Sequence, residues 1–156
     1  MTADNEVRTE YTGTWKSPEG TELEFNILSN GESAISLVCA VYALGMSGTG
    51  RTALERLLRQ IKELNIFAYA TEQLRRWIAA VEEYGLQPIR NATNKLTLML
   101  PIHIFDDICT AFREALDAGR LRNTKQLRYA TKAAALQRSY YRLGGIDAVC
   151  RLASAV

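Results

Sequence analysis

The chain has 156 residues, of which 47% are apolar, so it is large and apolar enough to bury a core, and wholesale disorder is excluded. Its formal net charge of +2 hides an asymmetry, because residues 1–111 carry 10 Lys or Arg against 14 Asp or Glu, whereas residues 112–156 carry 9 against 3. A basic C-terminal part on a mildly acidic body predicts a local contact with a polyanion and excludes a uniformly cationic chain.

Several features of the sequence indicate a cytoplasmic protein. The N-terminal residues are polar and acidic, unlike a secretory signal, and the longest apolar run, from Ile35 to Met46, is too short to cross a bilayer. The widely spaced Cys39, Cys109 and Cys150 and the single His103 form no zinc motif and suit a reducing compartment. We therefore expect no membrane partner, no metal and no cofactor.

The first part of the chain predicts a tail, a β-hairpin and a buried helix. Residues 1–10 are expected to be a flexible tail. Alternating apolar and polar residues over 11–16 and 21–28 predict two strands, joined by a turn with the sequence SPEG. Ser33 is expected to cap an apolar helix over residues 34–44, and a joint rich in glycine follows it.

A second helix is expected after this joint. Thr52 and Glu55 match the capping box of a helix start, in which each side chain satisfies a free backbone donor. Leucine and isoleucine at helical spacing extend the helix to residue 64. Residues 65–70 are compatible with either a short strand or a loose last turn.

The third helix and the segment after it have clear boundary residues. Thr71 is expected to cap a helix that runs to residue 84, and Gly85 is expected to end it in the left-handed conformation. Two short apolar runs around the polar turn NATN then predict a second hairpin over residues 86–100.

Three more helices are predicted in the rest of the chain. Pro101 suits a first helical position, and this helix should end at Gly119. An alanine-rich helix is expected from Asn123 or Thr124 to about Leu143, and a short last helix over 146–155. The fourth helix carries an apolar stripe that would suit a dimer interface: Phe105, Ile108, Phe112 and Leu116.

The order of three helices and a hairpin over residues 34–100 resembles the winged helix-turn-helix superfamily, especially in the stretch from Trp77 to Leu86 that leads into the hairpin. In that family the third helix enters the major groove of DNA and the hairpin lies along the neighbouring backbone or minor groove. Arg and Gln are also the side chains that make two-pronged contacts with guanine and adenine edges. The candidate DNA-binding residues of this unit are Gln73, Arg75, Arg76, Arg90, Asn91, Asn94 and Lys95.

The alanine-rich helix offers a second candidate surface. Four of its cations fall close to one stripe: Lys125, Arg128, Lys132 and Arg142. Such a stripe can follow a phosphate backbone, and each contact adds to a salt-dependent affinity. The same stripe would also suit an acidic protein surface, or would only keep the helix solvated. Residues 120–156 are expected to be peripheral, with Leu127, Ala130 and Ala134 facing inward.

A third candidate site is the glycine-rich joint. Residues 45–52 resemble the phosphate-binding P-loop of nucleotide hydrolases, GxxxxGK[ST], except that Arg51 replaces the lysine. Glycines let backbone N–H groups curl around a phosphate, but arginine is not equivalent to lysine at that position. The candidate phosphate-binding residues are Gly48, Gly50, Arg51 and Thr52.

These patterns together predict an α+β protein, mainly α-helical. A winged helix-turn-helix domain with an N-terminal hairpin would span residues 11–119, and a basic helical extension would span 120–156. The expected function is non-catalytic binding of double-stranded DNA, as a regulator or an accessory subunit, with a homodimer as one form. The alternatives are a small interaction subunit or inhibitor of a larger protein complex, and a degenerate P-loop nucleotide binder.

Overall fold

The computed structural model describes residues 6–63, 66–121 and 123–154 and has an α+β fold. Parts of three expectations therefore lie outside the described residues: the tail over 1–5, the junction at 64–65 and the last two residues. The strands are β1 (Thr9–Lys16), β2 (Glu22–Leu28), β3 (Ser33–Ser36), β4 (Ile89–Arg90), β5 (Leu96–Thr97) and β6 (Met99–Pro101). The α-helices are α1 (Leu37–Ala43), α2 (Gly50–Glu63), α3 (Glu72–Tyr84), α4 (Ile102–Asp117), α5 (Thr124–Tyr141) and α6 (Ile146–Ser154).

The N-terminal hairpin is confirmed. Strands β1 and β2 pair antiparallel, and the Ser17 hydroxyl accepts a hydrogen bond from the Thr21 N–H at 3.0 Å to close the turn. Strand β3 pairs with β2, and β6 pairs with β3, so the four-stranded antiparallel sheet has the order β1-β2-β3-β6. The sheet thus joins the hairpin to a strand that lies far along the chain.

The predicted start of the helix over residues 34–44 is wrong. Residues 33–36 form β3, one of the two inner strands of the sheet, and Ser36 rather than Ser33 caps the helix by accepting from the Cys39 N–H at 3.2 Å. The physical reason is tertiary, because Ile35 pairs with Leu100 of β6, and both side chains are completely buried. Helix α1 is consequently only 7 residues long.

Helix α2 begins at Gly50, so Thr52 lies inside the helix and the expected capping box does not start it. A 3₁₀ helix over Ile66–Tyr69 occupies the junction left open by the sequence. Both predicted boundaries of α3 are confirmed: the Thr71 hydroxyl accepts from the Leu74 N–H at 3.1 Å, and Gly85 has a φ of 77°.

The second hairpin is shorter than expected. Strands β4 and β5 form a two-residue pair, and the chain then switches sheets, because Met99–Pro101 belongs to β6 of the main sheet. The Leu37 N–H donates to the Leu98 carbonyl at 2.9 Å at the switch. Pro101 ends the strand and directly precedes α4, so it is not the first helical residue.

Helix α4 lies at the centre of the core. Its apolar stripe is buried against other parts of the same chain, and Phe105, Ile108 and Phe112 are 0% exposed. The expectation that this stripe forms a dimer interface is therefore wrong, because intramolecular packing already covers it.

The expectation that residues 120–156 are peripheral is also wrong. The two C-terminal helices contribute to the main core with Tyr129, Ala130, Ala133, Leu136, Tyr140, Ile146, Val149 and Cys150. Ala130 faces inward as expected, but Leu127 is 42% exposed. Alanines allow α5 to approach its neighbours closely, and Gly13 of β1 does the same for α6, since a Cβ there would overlap the Ala153 carbonyl oxygen.

Candidate nucleic-acid interface

Two of the sequence-predicted sites meet where α5 crosses the glycine-rich joint. A Cβ on Gly45 would lie 2.8 Å from Cδ of Lys132 and 3.8 Å from Nε of Arg128. The methylene stem of Lys132 therefore lies directly over the Gly45 backbone, which has a φ of 85°. Lys132 and Arg128 are both exposed, so their charged ends reach solvent beside the joint.

The joint itself is held by α2. The guanidinium of Arg56 donates to both the carbonyl and the hydroxyl oxygen of Ser47, each at 3.0 Å. Gly48 and Gly50 have φ angles of 125° and 54°, which favour glycine. Arg51 and Thr52 follow in the first turn of α2 and are exposed. A helix start of this kind presents free N–H groups and the positive end of the helix dipole.

The joint lacks the surroundings of a P-loop. A P-loop follows a buried strand of a parallel sheet, whereas α1 precedes this joint and the paired strands of the described residues run antiparallel. The apolar run that suggested a preceding strand is thus split between β3 and α1. The resemblance in residues 45–52 does not extend to the fold.

Several exposed cations of α2 and α5 lie outside the ion pairs of the described residues. The described part of the chain contains three ion pairs of Lys or Arg with Glu, namely Lys62–Glu82, Arg76–Glu72 and Arg90–Glu6, and a 3.3 Å contact between His103 and Asp147. None of them includes Arg51, Lys125, Arg128 or Lys132, and all four of these cations are exposed. Their charges are therefore not neutralised by a paired carboxylate of the described chain.

The third helix presents a more mixed surface. Gln73, Arg75 and Arg76 are exposed as expected. However, Arg76 pairs with Glu72 at 2.6 Å, and Arg75 donates to the Ala68 carbonyl at 3.2 Å. Gln73 lines a cavity of about 410 Å³ together with Glu32, His103 and Asp147. Carboxylates near Gln73 lower the attraction of this side of α3 for a phosphate backbone.

Most polar residues of the second hairpin build its tip. The Asn91 side-chain oxygen accepts from the backbone N–H groups of Thr93 and Lys95, at 2.9 and 3.0 Å. Asn94 has a φ of 68°, and its carbonyl accepts from Arg90 at 3.1 Å. Asn91 and Asn94 thus have a structural role, and Lys95 is the exposed cation of the tip.

Arg142 lies in different surroundings from Arg128 and Lys132 of the predicted α5 stripe. It lines a groove between α4 and α5 together with Arg113, Asp117, Ala134, Gln137, Arg138 and Tyr141. Lys132 and Arg128 instead lie against the joint. The structure therefore divides the stripe into a group beside the joint and a group in the groove.

A polar network that sequence reasoning missed lies beside this groove. Asp106 accepts hydrogen bonds from the hydroxyls of Tyr140 and Tyr141, the latter at 3.1 Å, and from Gln137 at 3.1 Å. Burial raises the pKa of Tyr140 well above its usual range, with further contributions from Cys109 and Asp106. The partners come from α4 and α5 and lie more than 30 residues apart in the sequence, so no local sequence pattern predicts their contact.

The neighbouring carboxylate, Asp107, faces another helix. It accepts from the Thr71 hydroxyl at 2.9 Å, which ties the start of α3 to α4. Burial raises the pKa of Asp107, and the hydrogen bond from Thr71 opposes this shift. His103, for which the sequence named no partner, lies 3.3 Å from Asp147 of α6.

The joint thus has the exposed cations Arg128 and Lys132 of α5 beside its first residue and the exposed Arg51 of α2 after its last glycine. No protein-family model, curated protein or solved structure matches the chain. The functional inference therefore depends on the chemistry of the joint and these cations. Within the described segments, no helix has the length and the apolar character that a membrane span needs.

Proposed function

We propose that the protein binds double-stranded DNA without catalysis, through the cations of α5 and the glycine-rich joint. The proposal depends mainly on the contact of Lys132 with Gly45, which brings Arg128 and Lys132 beside the first residue of the joint that leads to α2. In the proposed complex, these cations and the N-terminus of α2 would contact the same duplex. We call this set the joint surface: Gly48, Gly50, Arg51, Thr52, Lys125, Arg128 and Lys132.

A phosphate backbone fits the joint surface for electrostatic reasons. DNA carries a dense row of negative charges, and each phosphate contact with Lys or Arg releases bound counterions. Backbone N–H groups at a helix start are also common phosphate donors in DNA complexes. Contacts of this kind position a protein on DNA and carry no sequence information. The joint surface would therefore supply affinity and not specificity.

Specificity would come from residues 34–100 if they act as a winged helix-turn-helix unit. The succession of α1, α2, α3 and the β4–β5 hairpin supports this part of the proposal, although β3 takes the first residues of the expected first helix. In this unit α3 would present Gln73, Arg75 and Arg76 to base edges. Lys95, with Arg90 behind it, would contact a phosphate.

A role as an interaction subunit or inhibitor is the second proposal. An acidic protein surface would meet the joint surface with the same charge complementarity, and cations such as Arg128 would then speed association. A homodimer and a larger protein complex also stay predictions, and no surface is assigned to either. A nucleotide-binding P-loop is the least favoured alternative, because a helix precedes the joint.

Fluorescence anisotropy with a short labelled DNA duplex at low salt tests the proposal. We expect saturable binding that is weakened in the double variant Arg128→Gln/Lys132→Gln. A matched control is Lys16→Gln/Arg151→Gln, which removes two exposed cations from β1 and α6. Labelled polyglutamate serves as the competing acidic partner. Binding of polyglutamate without binding of DNA would favour the interaction role, and binding of neither by the folded protein would refute both proposals.

The winged-helix part of the proposal needs its own variant. Replacing Arg76 by Gln should relax discrimination at one base pair by about 1–3 kcal/mol, whereas replacing Lys95 should weaken all sequences alike. Selection of preferred duplexes from a random pool by the wild type and by both variants measures this difference. If the Arg76 variant selects the same sequences as the wild type, the assignment of α3 as a recognition helix is wrong.

A further inference from the structure

The groove between α4 and α5 has an unusual concentration of arginine. It has a volume of about 570 Å³, within the range of small-molecule sites. Its lining includes Arg113 of α4, Arg138 of α5 and Arg142, which directly follows α5, and Asp117 is the one carboxylate among the described lining residues. The lining therefore carries a net charge of +2 from three cations and one anion.

Within the described part of the chain, two residues that line this groove each keep a buried polar atom without a hydrogen-bond partner. Gln137, which is only 1% exposed, has no described donor to its Oε1 atom, and Arg113 has no described acceptor for its Nε–H group. A buried polar atom without a partner is unfavourable, so native proteins rarely keep one without a reason.

We propose that this groove binds a small phosphate monoester that carries free hydroxyl groups. A phosphate monoester has a charge of about −1.5 to −2 at neutral pH, which balances the net charge of the lining. Its oxygens accept the hydrogen bonds that the guanidinium forks donate, including the unpaired N–H of Arg113. A hydroxyl of the ligand donates to Oε1 of Gln137.

The walls of the groove fit the carbon skeleton of such a ligand. The ring of Tyr141 and the methyl group of Ala134 supply apolar surface between the polar groups. The Tyr141 hydroxyl is held by Asp106 at 3.1 Å, and the Gln137 amide nitrogen by Thr110 at 2.7 Å. Tyr141 and Gln137 are therefore already oriented, which lowers the entropy that these two side chains lose on binding.

Both sugar phosphates and nucleotides have this chemistry. Ribose 5-phosphate and AMP separate the two, because only AMP adds a base. Inorganic phosphate and ribose test the anionic and hydroxyl parts alone. The site does not depend on the proposed DNA binding, since Arg128 and Lys132 are not among the residues that line it.

Two-dimensional NMR of the full chain provides the test. Ribose 5-phosphate should shift the side-chain resonances of Gln137 and Arg113 in a saturable manner, and more tightly than inorganic phosphate or ribose does. The exposed pair Arg138→Gln/Arg142→Gln should weaken this affinity by about tenfold or more, since each variant side chain loses a hydrogen bond from a charged group to the phosphate. The control Arg128→Gln/Lys132→Gln should bind as the wild type does.

Three results would contradict the proposal. The first is the absence of saturable shifts at Gln137 up to about 10 mM ligand, because the affinity would then be too weak for a specific binding site. The second is an equal loss of affinity in both double variants, which would indicate diffuse attraction by the whole surface. The third is equal affinity for inorganic phosphate, which would remove the role of the hydroxyl groups. Tighter binding of AMP than of ribose 5-phosphate would support the site and identify a nucleotide as its ligand.

Discussion

Lys132 lies across Gly45, with its Cδ atom 2.8 Å from the position that a Cβ on Gly45 would occupy. This contact couples the charged helix α5 to the joint between α1 and α2. It also explains why the joint has glycine at this position, since any side chain would displace the lysine and would adopt a φ of 85°.

Replacing Gly45 by Ala should therefore lower both stability and DNA affinity. The left-handed backbone alone is unfavourable by about 1–2 kcal/mol for a residue with a Cβ. Gly31 is a matched control, because its φ is 86° and, apart from its chain neighbours, no heavy atom of the described residues lies within 4 Å of its added Cβ. Urea unfolding and duplex titration of both variants separate the two effects. Equal loss of DNA affinity in the two variants would show that the Lys132 contact has no role in binding.

The packing of α6 on β1 is tested by replacing Gly13 with Ala. The new Cβ would overlap the Ala153 carbonyl oxygen, which belongs to backbone and cannot rotate away. We expect a loss of about 1–3 kcal/mol of unfolding free energy, as for other overpacked sites. Thr14→Ala, at the adjacent exposed position, should have a much smaller effect in the same urea titration. An unchanged stability of the Gly13 variant would mean that α6 does not dock as described.

Tyr140 should contribute to stability through its hydroxyl group. It is completely buried and donates to Asp106, so Tyr140→Phe would remove a donor from a partly buried carboxylate. We expect a loss of about 1–3 kcal/mol. Tyr129→Phe is the matched control on the same helix, since that hydroxyl makes no hydrogen bond within the described part of the chain. Thermal unfolding of both variants provides the comparison, and a similar midpoint for the two would refute the role assigned to the network.

Glu19 gives the protein a pH-dependent contact between the N-terminal hairpin and α5. Backbone N–H donation lowers the pKa of Glu19 from its ordinary value of 4.5, and the Ser139 hydroxyl at 3.0 Å adds to this effect. Because the folded-state pKa is lowered, the stabilisation is present above about pH 4.5 and is lost as pH falls through the folded-state pKa.

The variant Glu19→Gln should therefore be less stable than the wild type at neutral pH. The unfolding free energies of the two proteins should converge in acid. Urea unfolding of both proteins over a pH series measures the difference. A constant difference down to acid pH would show that the ionised carboxylate is not the stabilising form.

The sequence predicts those elements whose boundaries are set locally. Thr71 and Gly85 delimit α3, and Asn123 caps α5 by accepting from the Gln126 N–H at 2.9 Å, because each of these residues acts within its own turn of chain. Strand β3 was missed because Ile35 pairs with a partner 65 positions further along the chain. Its apolar run fits a buried helix equally well without that partner.

The candidate sites also depend on contacts between residues that are far apart in the sequence. The stripe on α5 could be found from the spacing of its cations, but its position beside the joint depends on how α5 packs on α1. The Asp106 network and the arginine groove require the pairing of α4 with α5, which no local pattern encodes. The core role of α5 was missed for a related reason, since Ala130 and Ala133 bury little apolar area each and matter mainly by allowing close approach.

The salt dependence of DNA affinity is the most direct test of the joint surface. Each phosphate contact contributes about 0.9 to the slope of log K against log salt concentration. If Arg128 and Lys132 each contact a phosphate, the variant Arg128→Gln/Lys132→Gln should reduce that slope by about 1.8, whereas Lys16→Gln/Arg151→Gln should leave it unchanged. Equal slopes for the α5 variant and the wild type, or no binding of duplex by the folded wild type, would contradict the account.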